Sequence, residues 1–179
     1  MKGNILPLTF AQIEESQLGP LSFIAGEKGL LNVAFMDLKQ LKQEVHLKSG
    51  SPSLAGFETL TKLLVEVNEY LTGIRRGFTV DIDWSVISGF QLQVLKQTAE
   101  IPYGQVMSYA EMAKTLDSPG AARAVGAALA KNPMPIVIPC HRVIRSDCAL
   151  SGYLGGGKVK AQLLSLEGHT IKNNKVVSL

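Results

Sequence analysis

The sequence predicts an α+β protein in two parts: a small α/β domain over residues 1–85, then a mainly helical domain with a helix-turn-helix over residues 86–179. Three observations predict it. Short apolar runs broken by glycine-containing turns open the first half, as in paired strands, whereas apolar spacings of three and four run through the second. Charge divides at the same place. Residues 1–85 carry 8 Lys/Arg against 10 Asp/Glu, a net of −2, and residues 86–179 carry 10 against 5, a net of +5. A length of 179 residues suits one domain or two small ones.

An apolar share of 46% with 18% charged residues marks a folded globular chain and excludes a disordered one. No apolar run approaches bilayer length, and Met1-Lys2-Gly3-Asn4 begins no signal-peptide core. Two cysteines without a secretion signal point to the reducing cytoplasm, nucleoid-associated in a prokaryote, with Cys140 and Cys148 both free. They are too few for a cysteine-only zinc site, while mixed ligation with His141 or His169 stays open. The basic excess of the second half suits a polyanionic partner such as nucleic acid.

In the first half, apolar runs at 21–25 and 30–35 flank Gly26-Glu27-Lys28-Gly29, a hairpin with turn residues in the gap. Asp37 caps a helix whose Leu38, Leu41 and Val45 fall three and four apart. A longer helix places Phe57, Leu60, Leu64, Val67 and Leu71 on one face and stops at Gly73. Arg75 and Arg76 then fall on a solvated loop. Phe78, Val80 and Ile82 alternate with polar residues, as in a strand with one wet face.

In the second half, Ser88 caps a helix running to about residue 100, with Phe90, Val94 and Leu95 inward. A short helix follows over 109–116. Ser118 as cap, with Pro119 in the first helical position, starts the next, which ends at Asn132-Pro133. Two short helices joined by a tight turn form a helix-turn-helix pattern. The second of them is nearly all Ala and Gly, with Arg123 the one large charged group in its first turns. A face without bulk lets backbone approach a partner closely, and a helix N-terminus favours phosphate. Tight packing against neighbouring helices explains the same composition equally well.

The chemistry concentrates in Ile138-Pro139-Cys140-His141-Arg142-Val143. A thiolate nucleophile needs a lowered thiol pKa, and positive neighbours such as Arg142 or a protonated His141 would supply it. The run reads as a reactive sulfur in an apolar frame. A cysteine hydrolase built on Cys140 and His141 is disfavoured, because adjacent residues on an extended strand point to opposite sides.

From Phe90 to His169 the chain closely resembles the O6-alkylguanine-DNA alkyltransferases, the methylated-DNA–protein-cysteine methyltransferases. The resemblance rests on ordered blocks: Gly104-Gln105-Val106-Met107-Ser108-Tyr109, Ala121-Ala122-Arg123-Ala124-Val125-Gly126, Asn132-Pro133-Met134-Pro135 and the Cys140 run. It continues through Ser151-Gly152-Tyr153, Gly155-Gly156, and Leu163-Leu164 followed by Glu167-Gly168. The first half matches only through Gly19-Pro20-Leu21 and Gly29-Leu30.

The resemblance implies a ribonuclease H-like N-terminal supporting domain and a C-terminal domain for DNA binding and alkyl transfer. The implied reaction moves an alkyl group from guanine O6 in double-stranded DNA, with O4-alkylthymine a second candidate, onto Cys140. Displacement at carbon requires a thiolate. By resemblance His141 takes the Cys140 proton through a bridging water, Glu167 orients His141, and Tyr109 protonates the departing base. The nucleotide is flipped out of the stack, with Arg123 entering in its place and the small-residue helix in the minor groove. Ser108, Ala121, Ala122, Ala124 and Gly126 fall on the DNA-contacting segments. Val143, Tyr153, Leu154 and Gly155 fall on base-pocket positions, and Asn132 on the hinge between helix and cysteine segment. The thioether product implies one turnover per molecule with no metal or cofactor, and the resemblance implies a monomer.

Further positions read as surface or as departures. His46 and His169 read as surface residues without chemistry, and Arg145, Lys158 and Lys160 as surface charge or phosphate contacts. Leu154 stands where many relatives carry a small or polar residue. Cys148 stands where relatives usually carry glycine, so a positive φ there would strain it. The competing reading is an alkyltransferase-like protein that binds the lesion without transfer, and the presence of Cys140 argues against it.

Overall fold

The computed structural model describes residues 7–45 and 52–178, so His46 lies outside the described residues. The chain divides into two compact units, Met1–Val86 and Ile87–Leu179.

Unit 1 is built on an antiparallel meander of β1 (Thr9–Ile13), β2 (Leu21–Gly26) and β3 (Gly29–Ala34). The hairpin expected across Gly26–Gly29 joins β2 to β3, and β1, which the sequence reading did not identify, pairs with β2 through Phe10 opposite Ile24. Leu21, Phe23, Ala25 and Leu30 are fully buried. Helix α1 (Leu38–Val45) follows, its first turn capped by Asp37 Oδ1 accepting from Gln40 N at 2.8 Å. Helix α2 (Leu54–Leu71) is capped by Ser53, whose hydroxyl accepts from Gly56 N.

The buried face of α2 is Leu60, Leu63, Val67 and Tyr70; it shares Leu60 and Val67 with the predicted face, whose Leu64 and Leu71 are half-buried and whose Phe57 is 61% exposed. Gly56 explains the rotation. A Cβ there would lie 2.7 Å from Thr9 Oγ1, so the helix meets β1 at its one side-chain-free position and Phe57 turns outward. Gly73, with φ +78°, ends the helix as expected. Arg75 is not on a free loop: its Nε donates to Glu69 Oε2 at 2.7 Å. The predicted strand at 78–82 reduces to one parallel bridge between Leu30 and Ile82, in which Leu30 N donates to Asp81 O and Asp83 N to Leu30 O. Gly29 makes that approach possible, since a Cβ would stand 2.4 Å from Asp81 O.

Unit 2 begins with α3 (Gly89–Ala99), preceded by Ser88, whose side chain makes no capping bond. Val94 and Leu95 are buried, and Phe90 is half-buried. The two-residue strand β4 (Met107–Ser108) leads into α4 (Tyr109–Thr115) through a capping box: Ser108 Oγ accepts from Glu111 N, and Ser108 N donates to Glu111 Oε2. Helix α5 is Ala122–Leu129, starting later than the Ser118 cap predicted. Ala121 N donates to Ser118 O and Gly120 takes φ +95°, so Pro119-Gly120 occupy the corners of a β-turn rather than a first helical turn. A 3₁₀ turn at Cys140–Arg142 runs into β5 (Val143–Ile144), which pairs in parallel with β4. Helix α6 (Gly156–Leu166) and a hairpin of β6 (Thr170–Lys172) and β7 (Lys175–Ser178) complete the unit. The hairpin was not foreseen; Asn173 and Asn174 form its turn at φ +48° and +59°. Together the units make a mixed helix-and-sheet protein with small sheets. No helix among the described residues is long and apolar enough to cross a membrane.

Candidate active site

Cys140 does not lie on an extended strand. The 3₁₀ turn, closed by Arg142 N donating to Pro139 O at 2.9 Å, sends the Cys140 side chain to Asn132 and those of His141 and Arg142 to Glu167. Cys140 lines a cavity of about 500 Å³, together with Tyr109, Ala122, Gly126, Ser151 and Tyr153. That volume lies in the usual range for small-molecule pockets. Leu154, 49% exposed, stands at its edge. Val143 does not line the cavity; it is buried, and its carbonyl accepts from Lys160 Nζ at 2.7 Å. Gly155 precedes α6 and is likewise outside the lining. Pairing of β4 with β5 carries Tyr109 to the cysteine segment, a junction that two-residue strands do not announce in sequence.

Asn132 braces the loop before the nucleophile. Its Oδ1 accepts from Met134 N at 3.0 Å, while Nδ2 donates to Ile138 O at 2.9 Å and to Cys140 Sγ at 3.1 Å. The loop needs bracing, because Ile136 holds φ +75°, a left-handed conformation that a β-branched residue rarely adopts.

His141 is fully buried, and its Nε2 lies 2.9 Å from Glu167 Oε1. Arg142 does not face the thiol as the sequence suggested. Its Nε and Nη2 donate to Glu167 at 2.8–3.1 Å, and Nη1 donates to Ile101 O at 2.5 Å. Glu167 follows the last turn of α6, its N–H donating to Leu163 O, with Gly168 at φ +97° redirecting the chain. Gly104 N also donates to Glu167 Oε2 at 3.2 Å.

Burial alone would raise the Glu167 pKa, but the bonds from His141 and Arg142 outweigh it and hold the carboxyl well below the usual range. Burial lowers the His141 pKa against the pull of Glu167, so the ring is neutral and Nε2–H donates to the carboxylate. That tautomer leaves Nδ1 as the basic nitrogen. A neutral His141 and an Arg142 bound to Glu167 do not supply the thiol's positive escort. Burial pushes the Cys140 thiol up to about 11, opposed by the Asn132 hydrogen bond and then by the Lys160 charge.

Lys160 is the residue sequence reasoning missed. It is fully buried, not a surface charge, and Nζ donates to Val143 O and to Ser151 Oγ at 3.2 Å. The signal was present: Lys160 lies three and four residues before Leu163 and Leu164 and seven before Glu167, on the inward stripe of α6. His169, read as a surface residue, is also buried.

The expected DNA-contacting residues divide by exposure. Arg123 and Ala124 are exposed on α5; Ala122 and Gly126 face the cavity; Ala121 precedes the helix; and Ser108 caps α4. Cys140 and Cys148 are free thiols, and Cys148 takes φ +61°, the positive value that its position raised as a question. Among the described residues no group of three or more His, Cys, Asp or Glu could hold a metal.

Comparison with known proteins agrees with this geometry. Residues 89–169 match the family model "6-O-methylguanine DNA methyltransferase, DNA binding domain". The inducible methylated-DNA–protein-cysteine methyltransferase of Bacillus subtilis is 44% identical over 118 residues, covering 66% of this chain and 65% of that one. The methylated-DNA–protein-cysteine methyltransferase of Methanosarcina barkeri is 34% identical over 91% of this chain and 99% of its own length. The crystal structure of Mycobacterium tuberculosis OGT in complex with DNA superposes with a TM-score of 0.74 at 34% identity, over 88% of this chain and 92% of that one. With similarity running through both units and across nearly the whole of a relative, the chain belongs to the methylated-DNA–protein-cysteine methyltransferase family.

Proposed function

We propose that this protein repairs DNA by moving an alkyl group from O6-alkylguanine to its own Cys140, once per molecule. The observation that carries the reading is Cys140 lining a cavity of about 500 Å³, with His141 and Arg142 of the same turn bound to the buried Glu167 at the end of α6. Displacement at carbon requires a thiolate, and a thiol pushed up to about 11 needs a base. The neutral His141 supplies one, taking the proton at Nδ1 through a bridging water, and Glu167 stabilises the resulting imidazolium. Tyr109, on the cavity wall, protonates the departing guanine.

The target atom lies inside a duplex, so the nucleotide must be flipped out. In this reading α4 and α5 form a helix-turn-helix pair, α5 lies in the minor groove, and the exposed Arg123 fills the space the base vacates. Ala121, Ala122, Ala124 and Gly126 keep that face thin, and Ser108 contacts the backbone. Tyr153 and Leu154 flank the flipped base with Val143 and Gly155 behind, and Asn132 links α5 to the cysteine turn. Unit 1 is a ribonuclease H-like support, a reading favoured by its antiparallel meander and the parallel Leu30–Ile82 bridge. The protein acts as a monomer without metal or cofactor.

The test is incubation with a duplex bearing O6-methylguanine, followed by peptide mass mapping. The expected result is one methyl on Cys140, with repair stopping at one equivalent. Continued repair past one equivalent, or DNA binding with Cys140 unmodified, rejects the proposal; the latter is the outcome a lesion-binding protein would give. Cys140→Ala retains DNA affinity and loses transfer.

A further inference from the structure

A second polar chain runs through the cavity wall, apart from the His141–Glu167–Arg142 cluster. The Tyr109 hydroxyl lies 2.5 Å from Ser151 Oγ, and Lys160 Nζ donates to the same Ser151 oxygen at 3.2 Å. Tyr109 and Ser151 line the cavity beside the Cys140 sulfur, and Lys160 stands behind them with its side chain sealed from solvent. A fully buried lysine is unusual, and Val143 O meets only one of its three N–H donors.

We infer that Ser151 is a positioning residue that joins the buried Lys160 ammonium to the Tyr109 hydroxyl, making the three a proton relay to the departing guanine. The inference rests on the alkyl-transfer reading above. As the bond from Cys140 sulfur to the alkyl carbon forms, the carbon–O6 bond breaks and its electron pair stays on guanine. The Tyr109 hydroxyl gives its proton to a guanine ring nitrogen. Ser151 gives its proton to the Tyr109 oxygen, and Lys160 gives one to Ser151. Thiolate and ammonium thereby become thioether and neutral amine, and guanine leaves uncharged.

Ionisation supports the direction of flow. Burial brings Lys160 down to about 8, against the opposing Cys140 charge, so near neutral pH it is protonated yet parts with its proton more readily than an exposed lysine. Burial raises Tyr109 against the Ser151 hydrogen bond, so the phenolate is disfavoured and a proton supplied to the oxygen from Ser151 eases the release. Ser151 supplies the connection.

The test separates leaving groups. Guanine must be protonated as it departs, whereas iodide leaves methyl iodide without a proton. Single-turnover methylation of Cys140 is measured for the wild type, Ser151→Ala and Ser151→Thr, using a saturating duplex with one O6-methylguanine and, separately, methyl iodide. Ser151→Ala slows transfer from DNA by about 10-fold or more while leaving the methyl iodide rate within about twofold, and Ser151→Thr, which keeps the hydroxyl, recovers most of the loss. Equal slowing with both reagents makes Ser151 a fold support only and overturns the relay. So does an unchanged rate from DNA, or a threonine variant no better than alanine. A wild type that methyl iodide marks at Cys140 but that takes no methyl from DNA overturns the repair reading itself.

Discussion

Helix α2 of unit 1 and helix α6 of unit 2 each lay one stripe inward, yet they bury different chemistry. The α2 stripe is Leu60, Leu63, Val67 and Tyr70, with a single acid, Glu66, answered nearby by Thr79 N at 2.9 Å and the Thr79 hydroxyl. The α6 stripe is Val159, Leu163 and Leu164 with a fully buried Lys160, and it leads directly to buried Glu167. Unit 2 also buries Asn132, His141, Arg142 and His169. Charge is costly to bury, and partners offset that cost only while all are present. The difference teaches that unit 1 has the interior of a support, whereas unit 2 carries a stability cost at the place where it does chemistry.

The comparison breaks most decisively at Glu167. Glu167→Gln leaves Arg142 buried without its counterion and weakens the hold on His141, and should cost about 3–5 kcal/mol in denaturant unfolding. It should also slow single-turnover transfer by the molecules that remain folded, because the imidazolium of His141 loses its carboxylate. The same group makes unit 2 acid-sensitive. Its folded pKa lies below the ordinary 4.5, so its contribution is fully present above that value and is lost as pH falls through the folded one. Acid titration of stability should therefore show a steeper limb in the wild type than in Glu167→Gln.

Leu63→Ala sharpens the contrast from the other side. The side chain is fully buried in unit 1, and its loss should cost about 2–5 kcal/mol in the same measurement. Single-turnover transfer by the folded fraction should be unchanged, because no residue of unit 1 lines the Cys140 cavity. A transfer rate that falls with Leu63→Ala would give unit 1 more than a supporting role. The smallest effect is at Ser53, whose cap on α2 should be worth about 1 kcal/mol in Ser53→Ala, again without change in transfer.

Legibility differed between the two stripes for a physical reason. Cys140 and His141 stood out in their local run, and Glu167 and Tyr109 through the family resemblance; the structure brings Cys140 and Tyr109 to one cavity and His141 to Glu167. Lys160 was assigned to the surface by residue type, although helical spacing placed it with Leu163 and Leu164. Arg142 was read as the thiol's neighbour because it lies two residues away, but a 3₁₀ turn sends the side chains apart. The Ser118-Pro119 start failed because Gly120 took a turn conformation open to glycine, and of the predicted α2 face Phe57 turned outward, because Gly56 met Thr9, while Leu60 and Val67 were buried. The β6–β7 hairpin was readable in Asn173-Asn174 between apolar alternations and was passed over.

Composition and local spacing alone determined which groups this protein has to work with: a cysteine beside a histidine, a bulk-free helix carrying one arginine, and the stops and caps that bound the helices. Those are properties of neighbours in the chain, settled by sterics and hydrogen bonds within a few residues. Only the tertiary structure decided which of the groups meet. Tyr109 and Ser151 are 42 residues apart in sequence and His141 and Glu167 are 26, and contacts at such separations depend on how β4 meets β5 and how α6 turns its stripe inward. Packing also settled the ionisation, because the thiol is pushed up and the lysine down chiefly by being removed from water.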